Sequence, residues 1–154
     1  MKELLEAVRD RVQALTASLR FARRGAAEAV AIDIYLNAEP ARQSDELAPF
    51  CLVLPRGGGV AGRRRRQVEA VFCLHCDDRV QAVAELATLE SALVELSHPG
   101  GWQPWVQQGY EDYFGSKEHG YQPHPHYYYT VMLDFTHSLP VNHKPWRGID
   151  AEEN

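Results

Sequence analysis

The sequence predicts an α+β fold: one antiparallel or mixed sheet of about four strands, two helices packed on one face, and a long hairpin with a basic, glycine-rich tip. Three observations carry this. Apolar stripes at helical spacing occur twice, near residues 4–19 and 82–96. Between them lie three successive runs with strand character, and a fourth, rich in tyrosine, follows near residue 127. Three strands in succession favour an antiparallel or mixed sheet with helices gathered on one side.

The first helix is expected from Met1 to Phe21. Leu4, Val8, Val12, Leu15 and Leu19 recur at three- and four-residue steps and form one stripe. Glu3 and Glu6 lie near its start and Arg20, Arg23 and Arg24 at or beyond its end, an order that suits the helix dipole. Gly25 is the expected stop. Ala29 to Leu36 alternates and is β-branched and aromatic, so it reads as a strand, with Val30, Ile32, Ile34 and Leu36 on one face. Asn37 to Ala48 is polar and reads as a loop. Phe50 to Leu54, closed by Pro55, is apolar throughout and reads as a buried strand.

Arg56 to Arg66 (RGGGVAGRRRR) is the flexible tip, rich in glycine and closing on four consecutive arginines. Gln67 to Cys76 alternates cleanly, with Val68, Ala70, Phe72, Leu74 and Cys76 on one face. Together these segments predict a long hairpin. Asp77 or Asp78 can cap the second helix, which runs to about Leu96 and stops at His98-Pro99-Gly100-Gly101. Gly100 to His126 reads as a long irregular stretch carrying Trp102, Trp105, Tyr110, Tyr113, Phe114 and Tyr121. Tyr127 to Phe135 is the last strand, with Tyr127, Tyr129, Val131, Leu133 and Phe135 on one face. Residues 1–140 are expected to form a single domain and 141–154 an extended polar tail, a division consistent with 154 residues in all.

Composition narrows the function. A formal net charge of -5 favours solubility and disfavours general nucleic-acid binding. No apolar run is long enough to cross a bilayer, and the charged N-terminus has no signal-peptide core, so a cytoplasmic start and no membrane partner are expected. Cys51, Cys73 and Cys76 suit reduced thiols better than a disulfide framework.

The chemical suspects are Cys73, His75 and Cys76 with His124 and His126. Two thiolates and two imidazoles could hold zinc. On a strand, however, Cys73 and His75 share a face while Cys76 points to the other. Packed thiols without metal or cofactor are therefore the expectation. A phosphate loop, a dinucleotide fingerprint and a nucleophile elbow are all missing, which argues against an enzyme.

The surplus features are candidate contact surfaces. Arg56, Arg63, Arg64, Arg65 and Arg66 put five cations within eleven residues. They suit contact with phosphate or with an acidic protein surface, and equally a solvated tip that keeps the hairpin from aggregating. Trp102 and Trp105 are assigned to packing, and some of Tyr127, Tyr128 and Tyr129 to an interface.

The layout resembles the tail terminator (tail-completion) proteins of long-tailed phages. The likeness runs from about Phe50 to Pro140: a strand opened by a proline and an aromatic (Pro49-Phe50-Cys51-Leu52-Val53-Leu54-Pro55), a hairpin returning through Val68 to Cys76, and the acidic link Asp77-Asp78 before a helix. A proline- and aromatic-rich stretch then enters Tyr127 to Phe135. The very basic tip and the length of the stretch after the second helix depart from that pattern. The resemblance implies a virion structural protein, assembled in a host cytoplasm, that forms a homo-oligomeric ring, typically a hexamer. Such a ring caps the major tail tube protein, ends its polymerisation and meets a head-completion or neck protein, with DNA passing through the channel without sequence-specific binding. Another neck or minor tail protein, such as a head-tail connector, and a small cytoplasmic metal- or ligand-binding domain are the alternatives.

Overall fold

A computed structural model describes residues 2–36, 47–56, 66–98, 107–115 and 121–135. Helix α1 (Lys2–Thr16) is followed by strands β1 (Asp33–Leu36), β2 (Phe50–Arg56) and β3 (Arg66–His75), helix α2 (Arg79–Ala92), a 3-10 turn (Val94–Ser97), and strands β4 (Gln107–Phe114) and β5 (His126–Phe135). The strands form one mixed sheet in the order β1-β2-β3-β5-β4. Among the described strands β1 and β2 run parallel and the other pairings are antiparallel.

The α+β class and the placement of both helices on one face follow the sequence pattern. Alternation sends Val68, Ala70, Phe72 and Leu74 of β3 and Tyr127, Tyr129, Val131, Leu133 and Phe135 of β5 into one core. Leu4, Leu5, Val8 and Val12 of α1, and Ala82, Leu86 and Leu89 of α2 with Leu93 and Leu96, close over them. Asp78 caps α2, its carboxylate accepting from the N–H groups of Val80 (2.9 Å) and Gln81 (3.4 Å).

Several boundaries differ from expectation: β2 runs on through Pro55 to Arg56, and α2 ends at Ala92, ahead of the 3-10 turn, not near Leu96. Helix α1 stops at Thr16, five residues short of Phe21, because Phe21 is drawn into the core by an antiparallel bridge to Val30, with 2.8 Å hydrogen bonds in both directions. Gly25, at φ 80°, lies in the turn between these partners rather than capping the helix. The first strand is correspondingly shorter, at Asp33–Leu36. The larger correction is a fifth strand, β4, inside the stretch expected to be irregular. It pairs with β5 from Gln107↔Phe135 to Phe114↔Tyr129, with one register shift between Gln107 and Gly109. The buried Gln107 ties its start to the 3-10 turn by donating to the Ser97 carbonyl at 3.4 Å. Gly115, at φ 99°, ends it.

Residues 136–154, including the expected tail, lie outside the described residues, as does the tip from 57 to 65. Among the described residues no helix is long and apolar enough to cross a membrane.

Two substitutions test this packing by urea unfolding. Asp78→Ala should cost about 1 kcal/mol as the cap is lost. Leu89→Ala, at a fully buried position, should cost about 2–5 kcal/mol. A change under 0.5 kcal/mol for Leu89→Ala would contradict α2 as a wall of the core.

Candidate assembly surface

The hairpin base is pinned on the face of the sheet away from the helices. Arg56, the last residue of β2, places its guanidinium on Oε1 of Glu69, and the Tyr113 hydroxyl donates to Oε2 of the same carboxylate at 2.9 Å. Glu69 is only 5% exposed, so two donors from β2 and β4 hold a carboxylate of β3 that water scarcely reaches. Arg56 is therefore engaged within its own chain. Arg66 opens β3 opposite Phe135, while Arg63, Arg64 and Arg65 lie outside the described residues.

The tyrosine run divides by strand alternation. Tyr127 and Tyr129 are buried in the main core, which withdraws both from the surface where an interface was expected. Tyr128 lies on the other face, half-buried against a small cluster of Leu47, Ala48, Phe50 and Cys73. Its backbone is clamped by the Gln122 amide, which donates to the Tyr128 carbonyl (2.9 Å) and accepts from its N–H (2.7 Å).

The cysteines are separated in the same way. Cys51 is in the main core and Cys73 in the small cluster on the opposite face. Cys76 donates weakly to the Asp78 carbonyl at 3.2 Å. Burial pushes the Cys51 and Cys76 thiols up from their ordinary range, which makes both poor nucleophiles. His75 and His126 meet edge to face at 5.3 Å, and His124 Nδ1 lies 2.6 Å from the Tyr127 hydroxyl. Among the described residues no three His, Cys, Asp or Glu side chains are grouped as a metal would need.

Large apolar side chains also stay exposed on β4 and on α2. Tyr110 and Phe114 of β4 are 39% and 46% exposed, and Val80 and Val83 of α2 are 79% and 66% exposed. Helix α2 carries Ala84 and Ala87 on that outer side as well, so it is apolar on both faces, unlike a helix that simply floats on a core.

A polar network joins β4 to β5. The Tyr129 hydroxyl donates to Asp112 Oδ2 at 3.0 Å and lies 3.3 Å from the Tyr110 hydroxyl. Burial and the neighbouring hydroxyl and carboxylate raise the Tyr129 phenol well above its ordinary value.

Sequence reasoning missed β4 because its charges interrupt the apolar pattern: Glu111 and Asp112 put a carboxylate on each face. The usable signal was the alternation of Tyr110, Asp112 and Phe114 before Gly115.

Arg56→Leu alone should destabilise the fold by about 1–3 kcal/mol, because Glu69 keeps its burial and loses its charge partner. Arg56→Leu/Glu69→Leu together should recover most of that loss in the same denaturant titration. Tyr129→Phe should cost about 1 kcal/mol near neutral pH through the lost hydrogen bond to Asp112. The folded phenol holds its proton more tightly than the unfolded one, whose ordinary value is 10.0. Its contribution is thus complete below that pH and is lost as pH rises beyond it. Stability of the parent chain should fall more steeply above pH 10.0 than that of Tyr129→Phe; equal slopes would contradict the assignment.

No protein family model matches the sequence, and no curated protein matches it.

Proposed function

We propose that this chain is a structural subunit that works by assembling with other proteins, as a tail terminator that caps a tail tube, ends its polymerisation and joins it to the neck of a virion. The observation that carries the reading is the surface around β4 and α2. Exposed aromatics on an edge strand, together with exposed valines on α2, are the composition of a protein–protein contact, since aromatic side chains bring large apolar area at small entropic cost. The layout resemblance supplies the kind of assembly.

A ring of copies closes when each subunit uses two different faces. The β4 edge with α2 offers one such face and the arginine-bearing end of the hairpin a second. The thiols, divided between the two faces of the sheet, favour an assembling subunit over a small catalytic or metal-binding domain.

Native mass measurement and negative-stain imaging, alone and with polymerising tube protein, test the reading. The expected result is a ring whose mass is a multiple of the 17.4 kDa subunit, found at one end of tubes of limited length. Charge reversal at Arg63 to Arg66 should block head–tail joining and leave the far-ultraviolet circular dichroism unchanged. Tubes that lengthen without limit in the chain's presence, with nothing at their ends, would contradict the reading.

A further inference from the structure

Among the described residues the backbone of β4 leaves one edge of the sheet open. Gly115 N–H donates to the Tyr128 carbonyl at 3.0 Å, and the β4–β5 register continues from that pair. Hydrogen-bonded and non-hydrogen-bonded pairs alternate along an antiparallel ladder. Tyr113, Glu111 and Gly109 therefore turn their backbone groups toward β5, while Tyr110, Asp112 and Phe114 turn theirs outward. Among the described residues nothing pairs with this outer edge, and β4 is the last strand of the sheet. A long open edge beside exposed aromatics is a template for another strand.

Charge selects the strand. Glu111 is exposed on the face away from the helices, and Asp112 is half-buried on the face that bears them. The Glu90 carboxylate of α2 lies close enough to act on the Tyr110 phenol, which adds negative charge on the helix side. Two copies of β4 paired with each other would crowd these carboxylates together, and like charges opposite one another destabilise a ladder. The edge thus disfavours itself and favours an extended basic segment.

We propose that the outer edge of β4 receives the arginine run Arg63-Arg64-Arg65 of a second copy of this chain, which makes the contact head-to-tail. Successive side chains of an extended segment point to opposite faces. Consecutive arginines then match consecutive carboxylates: one guanidinium meets Asp112 between Tyr110 and Phe114, and the next meets Glu111. The aromatic rings add cation–π faces to the ion pairs. The net charge of -5 already includes the arginines of the run, so the remainder of each copy is more acidic still and attracts the run of its neighbour.

Within one chain the geometry is poor. Arg66, which adjoins the run in sequence, is level with Phe135 and Gln107 in the register, at the opposite end of β4 from Phe114. Strand β5 also separates Arg66 from β4, about 10 Å across two strand spacings.

The inference rests on the assembly reading, and paired charge reversal separates the two. Glu111→Lys/Asp112→Lys gives a copy whose edge and run are both basic; Arg63→Glu/Arg64→Glu/Arg65→Glu gives one in which both are acidic. Each should remain at the 17.4 kDa subunit mass where the parent chain assembles, and mixing the two should restore assembly. Oxidation of Arg64→Cys mixed with Glu111→Cys should trap a disulfide between chains, whereas the double variant diluted to the subunit mass should not close one within a chain. Assembly unchanged in either charge variant, no recovery on mixing, or a subunit-mass parent chain at every concentration would overturn the inference. So would loss of DNA binding in the acidic variant with self-association intact. A parent chain that stays at subunit mass yet still caps tubes would overturn only this inference and leave the assembly reading standing.

Discussion

The fold depends on the ladder between β3 and β5. Ten residues of each strand pair without interruption, from Arg66↔Phe135 to His75↔His126, at the centre of the sheet. A slip of one residue would move Phe72, Leu74, Tyr129 and Val131 from the core to the opposite face, so the register is fixed by burial itself. The fixed register then decides the division of labour in the tyrosine run. Tyr127 and Tyr129 fill the core, and Tyr128 goes to the other side.

From that ladder the sheet extends in two directions with different consequences. Toward β2 and β1 it is apolar on both faces, with the helices on one side and the cluster around Phe50 and Cys73 on the other. Toward β4 it ends in a strand that carries a carboxylate on each face and leaves three residues' backbone groups turned outward. The buried Glu69 links the two halves, because its partners Arg56 and Tyr113 come from β2 and β4. Such a tie is costly to break and contributes little net stability when intact, so its value lies in holding the hairpin base and β4 in one geometry.

Much of the core was legible in the sequence because its signals are local and redundant. The stripe of α2 and the alternation of β3 and β5 each predict the buried residue set that the structure contains, and Asp78 was one of two caps named from spacing alone. Two kinds of feature were not legible. Helix α1 ends at Thr16, before its expected end at Phe21, because Phe21 finds its partner Val30 through the tertiary fold, which local periodicity does not register. β4 is an edge strand whose ladder is set by its neighbour, so Glu111 and Asp112 could replace apolar residues without loss of pairing. The candidate surface was half legible: the arginines stand out in any reading, whereas the acidic edge that complements them emerged only when β4 was seen to be a strand.

The central claim is that the outer edge of β4 is the contact through which this chain assembles. Residue-resolved hydrogen exchange tests it most directly, because the outward amides of Tyr110, Asp112 and Phe114 have no ladder partner among the described residues. The account predicts rapid exchange of these three amides at subunit mass and strong protection in the assembled form, with Glu111 and Tyr113 protected in both. Assembly that leaves Tyr110, Asp112 and Phe114 exchanging as fast as before would contradict it.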